Sequence, residues 1–520
     1  MRPARLLALA PLLAAACDDT PARSADASAV LDVPSDIAAA TDVVDATVGM
    51  DAVADDDVPA DVLRPPVIAR TQPEAVLAQR RRSCAFQAGA WPAETLGTEV
   101  PVGDAIPVQH VLVIMQENRS FDNYLGRLVA QGYYRAGDFT TGADGGVGEG
   151  FAHSDELDDP PPSWSNPDSH GAPVYPHPDT EFCYGVNHSW RDMHDDYDDG
   201  RMDHFVTNND PNGQRSMYYQ DDTVLPFYYA LANTFAVGDQ YHASVMSSTW
   251  PNRLFMMSAT SFGIGDNSFV HLDTPQHPVN NLFLELEAAG RTWLDYTDGP
   301  HQESFYSYFG LARHETFAHY RNARCDLFRD IRNDTLPDVA FIMGDEVDET
   351  GDEGPSNLPQ IGALWVENIV RALFASPAWR NTVVFITYDE NGGTADHVPP
   401  APTCAPDNIA PHLGDGTPLT GAFNLTGFRV PFIVVSPFTR RHFASHTVYD
   451  HTSVVRFIEA RFGLPAMTAR DANATPPMDM FDFANPPFMT PPTIAAHTVP
   501  DPVMLSRCHQ VPVPEGCADQ

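Results

Sequence analysis

The chain has 520 residues and a formal net charge of -40, with 70 acidic side chains against 30 basic ones, and 43% of its residues are hydrophobic. Polyanion binding rests on Lys and Arg neutralising phosphates, so this balance argues against nucleic acid as a partner. The length allows a large buried core and suits an α/β enzyme with insertions.

Arg2 and Arg5 precede an apolar run over residues 6–16, too short to span a bilayer but right for a signal-peptide core. Export is the expectation, with residues 1–17 as the signal. The run ends AAAC, as in a lipoprotein signal that acylates Cys17, although Ala14 stands where such signals prefer Leu. Ordinary secretion, with Cys17 left as an odd thiol, is the other reading. Residues 18–71 form an Asp-, Ala-, Val- and Pro-rich stretch with no sustained period and few aromatic or basic residues, which predicts a disordered acidic linker. With Cys17 acylated, that linker would hold the folded body off a membrane, and the anchor would be the only membrane contact.

Setting Cys17 aside leaves Cys84, Cys183, Cys325, Cys404, Cys508 and Cys517, an even number in an exported chain. Up to three disulfides are expected, their connectivity open. A cysteine zinc site competes, but no CxxC pair supports it.

The folded region begins near residue 72. Residues 111–115 read as a buried strand, and HVLVIMQENRSFDNYLG then turns polar at once with Glu117, Asn118, Arg119 and Ser120. Glu117 and Asn118 would serve as oxygen ligands or, equally, as caps of the following helix. Residues 132–212 are rich in Gly, Pro, Asp and His and predict a long irregular insertion. Within it lie His188, His194 and His204, the last two read as structural. Residues 225–235 read as a buried helix. In SVMSSTWPNRLFMMSAT, Pro251 would open a helix with Asn252 and Arg253 in its first turn, placing the Thr249 hydroxyl at a helix start that favours an anion. A capping threonine is the plainer reading.

A capped helix over 280–289, strands at TWLDY and 339–343, and an amphipathic helix over 361–374 follow. They feed the stretch TVVFITYDENGGTADHVPPAP at 382–402, in which an apolar β-branched run stops at Asp389 and Glu390. Adjacent carboxylates at a strand end call for a cation, a proton or a basic partner, and a metal is the favoured answer. A strand over 430–435 and a helix over 449–462 stopped by Gly463 come next; residues 470–520 read as a loosely structured, Pro-rich tail on the same domain. Alternating strands and helices predict an α/β fold with a mainly parallel sheet covered on both faces.

HVLVIMQENRSFDNYLG, HSW at 188–190, STWPNR, YDENGGTADHVPP and YDHTSVVRFIEARFGL, in this order from about 105 to 465, together resemble the bacterial phosphoesterase family of phospholipases C and acid phosphatases. The resemblance implies an alkaline-phosphatase-like, three-layer α/β/α sandwich over residues 72–469, with one metal at the strand ends. It implies Glu117, Asn118, Asp389, Glu390 and the Thr249 hydroxyl as its ligands. Oxygen-only ligands suit Ca²⁺, Mg²⁺ or Mn²⁺, with zinc left open. Thr249 would be the nucleophile and form a phosphothreonine. His188 and His397 would bind phosphate or protonate the leaving group, and Asn118, His188 and Arg253 would contact the substrate, a phospholipid or a small phosphomonoester. One departure stands out: the histidine of an SEHP-like segment is replaced by Gly354 in DEGP, which would lower activity, shift the substrate, or leave its place to His301 or His314. A surface-tethered protein that binds phosphorylated ligands without turnover is the alternative this departure supports.

Overall fold

The computed structural model describes residues 63–134, 164–268, 272, 279–297, 319–344, 351, 353–354 and 357–508. The chain divides into Met1–Val58, outside those residues, and Pro59–Gln520, which holds everything described. The signal segment, Cys17, most of the linker, His301, His314 and Cys517 lie outside the described residues.

Eight strands form one sheet: β1 His110–Gln116, β2 Ala236–Gly238, β3 Trp293–Thr297, β4 Tyr320–Asn322, β5 Val339–Met343, β6 Thr382–Tyr388, β7 Phe432–Val435 and β8 Phe443–Ser445. Their spatial order is β8-β2-β7-β6-β1-β5-β3-β4. All neighbours run parallel except β7, which is antiparallel to both β6 and β2. The fold is therefore α/β with a mainly parallel sheet, as expected. The strand expected over 430–435 begins at Phe432, and its reversed direction was not legible in its apolar run. All seven residues of β6 are buried, as are six of seven in β1, which is why both read as continuous apolar segments.

The helices used below are α1 Glu74–Arg82, α2 Trp190–Tyr197, α3 Pro226–Thr234, α4 Thr249–Ser258, α5 Leu282–Ala288, α6 Asp326–Asn333, α7 Pro359–Phe374, α8 His451–Phe462, α9 Ala469–Asn473 and α10 Pro502–Cys508. They form two contacting groups, α3 with α6 and α7, and α4 with α5, α8 and α9. The strand alternation assigns each group a face. Phe385 of β6 meets Phe457 of α8 with ring centroids 5.1 Å apart, and Phe341 of β5 meets Phe283 of α5 at 5.3 Å. Tyr388, three residues after Phe385 and thus of opposite parity, shares the Glu353 carboxylate with Tyr228 of α3. The result is three layers, helices on either side of the sheet.

At its start the described chain is already docked: the Leu63 N–H donates to the Ala288 carbonyl at 2.6 Å and Arg70 Nη2 to the Val100 carbonyl at 2.6 Å. Residues 63–71, expected to belong to the linker, therefore pack on the body. The tail also departs from expectation. Arg470 sits in α9, buried and paired with Asp450 at 2.8 Å, and Glu367 of α7 accepts the Thr498 N–H at 2.8 Å. Local composition missed these anchors because each partner is distant in sequence. Disulfides join Cys84 to Cys404 and Cys183 to Cys508, and Cys325 is disulfide-bonded as well.

Candidate active site

Register builds the site. β1 and β6 pair residue for residue from His110 with Thr382 to Gln116 with Tyr388, so Glu117 and Asn118 leave one strand level with Asp389 and Glu390 leaving the other. The Asp389 N–H donates to the Gln116 carbonyl at 3.1 Å, and the Asn118 N–H to Asp389 Oδ1 at 2.9 Å. Asn118 adopts φ of +60°, a left-handed conformation that Asn tolerates and that ends the strand sharply. Two glycines then bring the chain close: at Gly392 a Cβ would lie 2.4 Å from the Asn118 carbonyl oxygen, and at Gly393 one would lie 2.3 Å from that of Asn187. Only glycine permits that approach, and it sets the segment bearing His188 against the acidic pair.

Thr249 comes from the opposite side, at the start of α4. Its Oγ1 donates to Glu117 Oε2 at 3.3 Å. The capping reading does not hold, because Ser248 occupies the cap position and Thr249 is the first helical residue. Nor do Glu117 and Asn118 cap the next helix: Ser120 does, accepting from the Asn123 N–H at 3.1 Å.

Arg253 lies one turn into α4. It is fully buried, its Nη2 bonded to Glu117 Oε1 and its Nε 3.5 Å from Asp389 Oδ2. Expected on substrate, it is held among the carboxylates. His188 keeps its Nδ1 on the Val186 carbonyl at 2.6 Å, which leaves Nε2 facing Glu390 Oε1 at 3.7 Å. His188 is 28% exposed at its side chain, whereas Asp389 and Glu390 are fully buried, so the site opens toward His188.

Three buried oxygens of this cluster have no hydrogen-bond donor: Asn118 Oδ1, Asp389 Oδ2 and Glu390 Oε1. Leaving such atoms without a hydrogen bond is costly, and burial, followed by the neighbouring Asp389, pushes the Glu390 carboxyl well above the ordinary range. Hard oxygen donors from two strand ends and a helix start fit a cation such as Ca²⁺, Mg²⁺ or Mn²⁺.

His397 is held separately. Its Nδ1 donates to Asp122 Oδ2 at 2.7 Å, and Arg429 bridges Asp122 at 2.9 Å and Asp396 at 2.8 Å. Burial disfavours the imidazolium, but Asp122 outweighs it, and the net effect raises the His397 pKa. Its Nε2 is buried without a partner.

A profile of the Phosphoesterase family matches residues 108–465, more than half of the chain. The chain belongs to the phosphoesterase family. Among similar proteins, the non-hemolytic phospholipase C of Burkholderia pseudomallei is 32% identical over 422 residues, 71% of this chain and 57% of that one. The chain thus spans a little over half the length of that relative. Phospholipase C B of Mycobacterium tuberculosis is 32% identical over 432 residues, covering 75% of this chain and 81% of its own. A solved structure of a Vibrio parahaemolyticus protein in the alkaline phosphatase superfamily aligns over 77% of this chain and 78% of its own, at 9% identity and a TM-score of 0.36.

Several residues around the site went unread in the sequence. His451, in the YDHTS motif, donates from Nε2 to the Asp389 carbonyl at 2.7 Å and meets the Tyr241 hydroxyl through Nδ1 at 3.0 Å. Burial lowers its pKa, disfavouring a charged ring under the strand end. Beneath the sheet, Glu353 accepts from the hydroxyls of Tyr228 at 2.5 Å and Tyr388 at 2.7 Å, while its own carbonyl and that of Gly354 accept from Arg119 at 2.7 and 3.1 Å. The segment that departs from the family pattern is therefore anchored by its backbone. Motif position marked His451 and Asp122; nothing local marked what they touch.

Proposed function

We propose that this protein hydrolyses phosphate esters through a threonine nucleophile, with Glu117, Asn118, Thr249, Asp389 and Glu390 as the ligands of one divalent cation. The observation that carries the reading is the Thr249 hydroxyl, directed at Glu117 Oε2 beside three buried oxygens that lack donors. A bound cation supplies charge against the phosphoryl oxygens and raises the alkoxide fraction of Thr249.

The chain's own groups do the rest. Thr249 Oγ1 attacks phosphorus in line and releases its proton to Glu117, while the bond from phosphorus to the leaving alcohol breaks. His188, on the open side, or His397 gives that oxygen its proton. Water then attacks the phosphothreonine and passes a proton to the same histidine. The bond from phosphorus to Oγ1 breaks, and Thr249 regains its proton from Glu117. Asn118 and the N-terminus of α4 orient the phosphoryl oxygens. The names of the relatives favour a phospholipid phosphodiester over a small phosphomonoester, and export, with an acylated Cys17 as the anchor, fits the disulfides.

Acid quenching during turnover, followed by peptide mass spectrometry, tests the covalent step; phosphate is expected on the peptide containing Thr249. Release of p-nitrophenol from its phosphate mono- and diesters should stop on chelation and return with metal. A folded chain that shows no chelator-sensitive release on any ester would instead be the tethered binding protein that Gly354 suggests.

A further inference from the structure

Two buried clusters at this end of the sheet each combine carboxylates with an arginine, and they differ in how many carboxylates each arginine faces. Around Arg429, all four carboxylate oxygens of Asp122 and Asp396 are engaged, by the guanidinium, by His397 or by backbone N–H groups. There one guanidinium and the His397 ring face two carboxylates. Around Arg253 the described residues supply three buried carboxylates, Glu117, Asp389 and Glu390, against one buried guanidinium, with the half-exposed His188 beside Glu390.

We propose that Arg253 is a specificity-determining residue of the metal site. It is a fixed positive charge that makes the ligand set one unit less negative and so matches it to a divalent cation over a more highly charged one. The inference rests on the metal reading above. The planar guanidinium suits the role because Nη2 reaches Glu117 while Nε reaches Asp389, and Nη1 lies on Met343 Sδ. A lysine would keep the charge without the fork. Arg253 also leaves Asn118 Oδ1 and Glu390 Oε1 without donors, so it tunes the set without filling it. Because the interior screens charge poorly, one unit more or less weighs more on a trivalent than on a divalent ion.

The test uses the full-length protein, stripped of metal, and measures Ca²⁺ and Mn²⁺ binding by calorimetry and Tb³⁺ binding by luminescence sensitised through Trp250. In Arg253→Gln, preference for Tb³⁺ over Ca²⁺ should rise by about tenfold or more relative to the parent. In Arg253→Lys it should stay within about threefold, since the charge survives. The double variant Glu117→Gln with Arg253→Gln removes one anion and one cation, and its preference should return to the parent's even though a ligand is lost. It also restores the parent's balance of buried charge, so it should melt at a higher temperature than Arg253→Gln alone. An unchanged preference in Arg253→Gln, or a double variant that fails to fold or keeps an altered preference, would overturn the proposal. A parent protein that binds none of the three ions would remove the metal reading itself and this inference with it.

Discussion

The sharpest claim is made by a single hydroxyl. If Thr249 is the nucleophile, Thr249→Ala should lower turnover by roughly a thousandfold or more, while Thr249→Ser keeps part of it. Neither change should shift stability by more than about 1 kcal/mol, because Thr249 is not the cap of α4. Comparing kcat with the thermal transition of both variants separates chemistry from folding, and an active alanine variant would end the mechanism. His397 makes a second claim at this scale. Its folded pKa lies above the ordinary 6.5, with burial opposing and Asp122 driving the rise. A raised pKa in the folded state means that the stabilisation is complete below the unfolded value and fades as pH climbs through the folded one. The Asp122 carboxylate is held below its ordinary 3.8, against burial, by His397 and Arg429, so its share is lost only in acid. The pair therefore stabilises most between about pH 4 and 6.5. The gap in melting temperature between the parent and His397→Asn should be widest there and narrow toward pH 9; a gap that is flat with pH would leave His397 uncharged.

Elements set where these residues meet. Strand ends were legible because a continuous apolar run that stops at charged residues is a local signal, and β1 and β6 both carry it. What lies across a strand pair is not local. Nothing near 253 in the sequence indicates Glu117 and Asp389 as partners. The direction of β7 and the anchoring of Arg470 were hidden for the same reason, and the capping roles first open to Thr249, Glu117 and Asn118 were settled only by Ser248 and Ser120. Close approach at the DENGG turn gives an element-scale test. Gly393→Ala must take φ of +70° and push its Cβ against the Asn187 carbonyl. We expect a loss of at least about 1 kcal/mol in chemical denaturation, together with lower activity as the His188 segment shifts. Full activity and an unchanged midpoint would show that the turn does not position His188.

At the scale of the molecule, disulfides link positions 320 and 325 residues apart. By loop-closure entropy each should contribute roughly 2–5 kcal/mol, so reduction should lower the thermal midpoint markedly. Native protein alkylated without reductant should show none of Cys84, Cys183, Cys404 or Cys508 labelled; labelling of all four would refute the pairing. That much was legible, since an even set of cysteines behind a signal-like start predicts pairing, although not which pairs form.

The bond between Cys183 and Cys508 also imposes an order in time. Cys183 lies five residues before His188, and its partner is made 325 residues later. A ribosome delivers the N-terminal side first. The segment that carries His188 therefore stays untethered through most of synthesis, and any product halted before residue 508 lacks the tether altogether. Formation of this bond, after residue 508 has been made and the thiols oxidised, therefore comes late in fixing the rim of the candidate site.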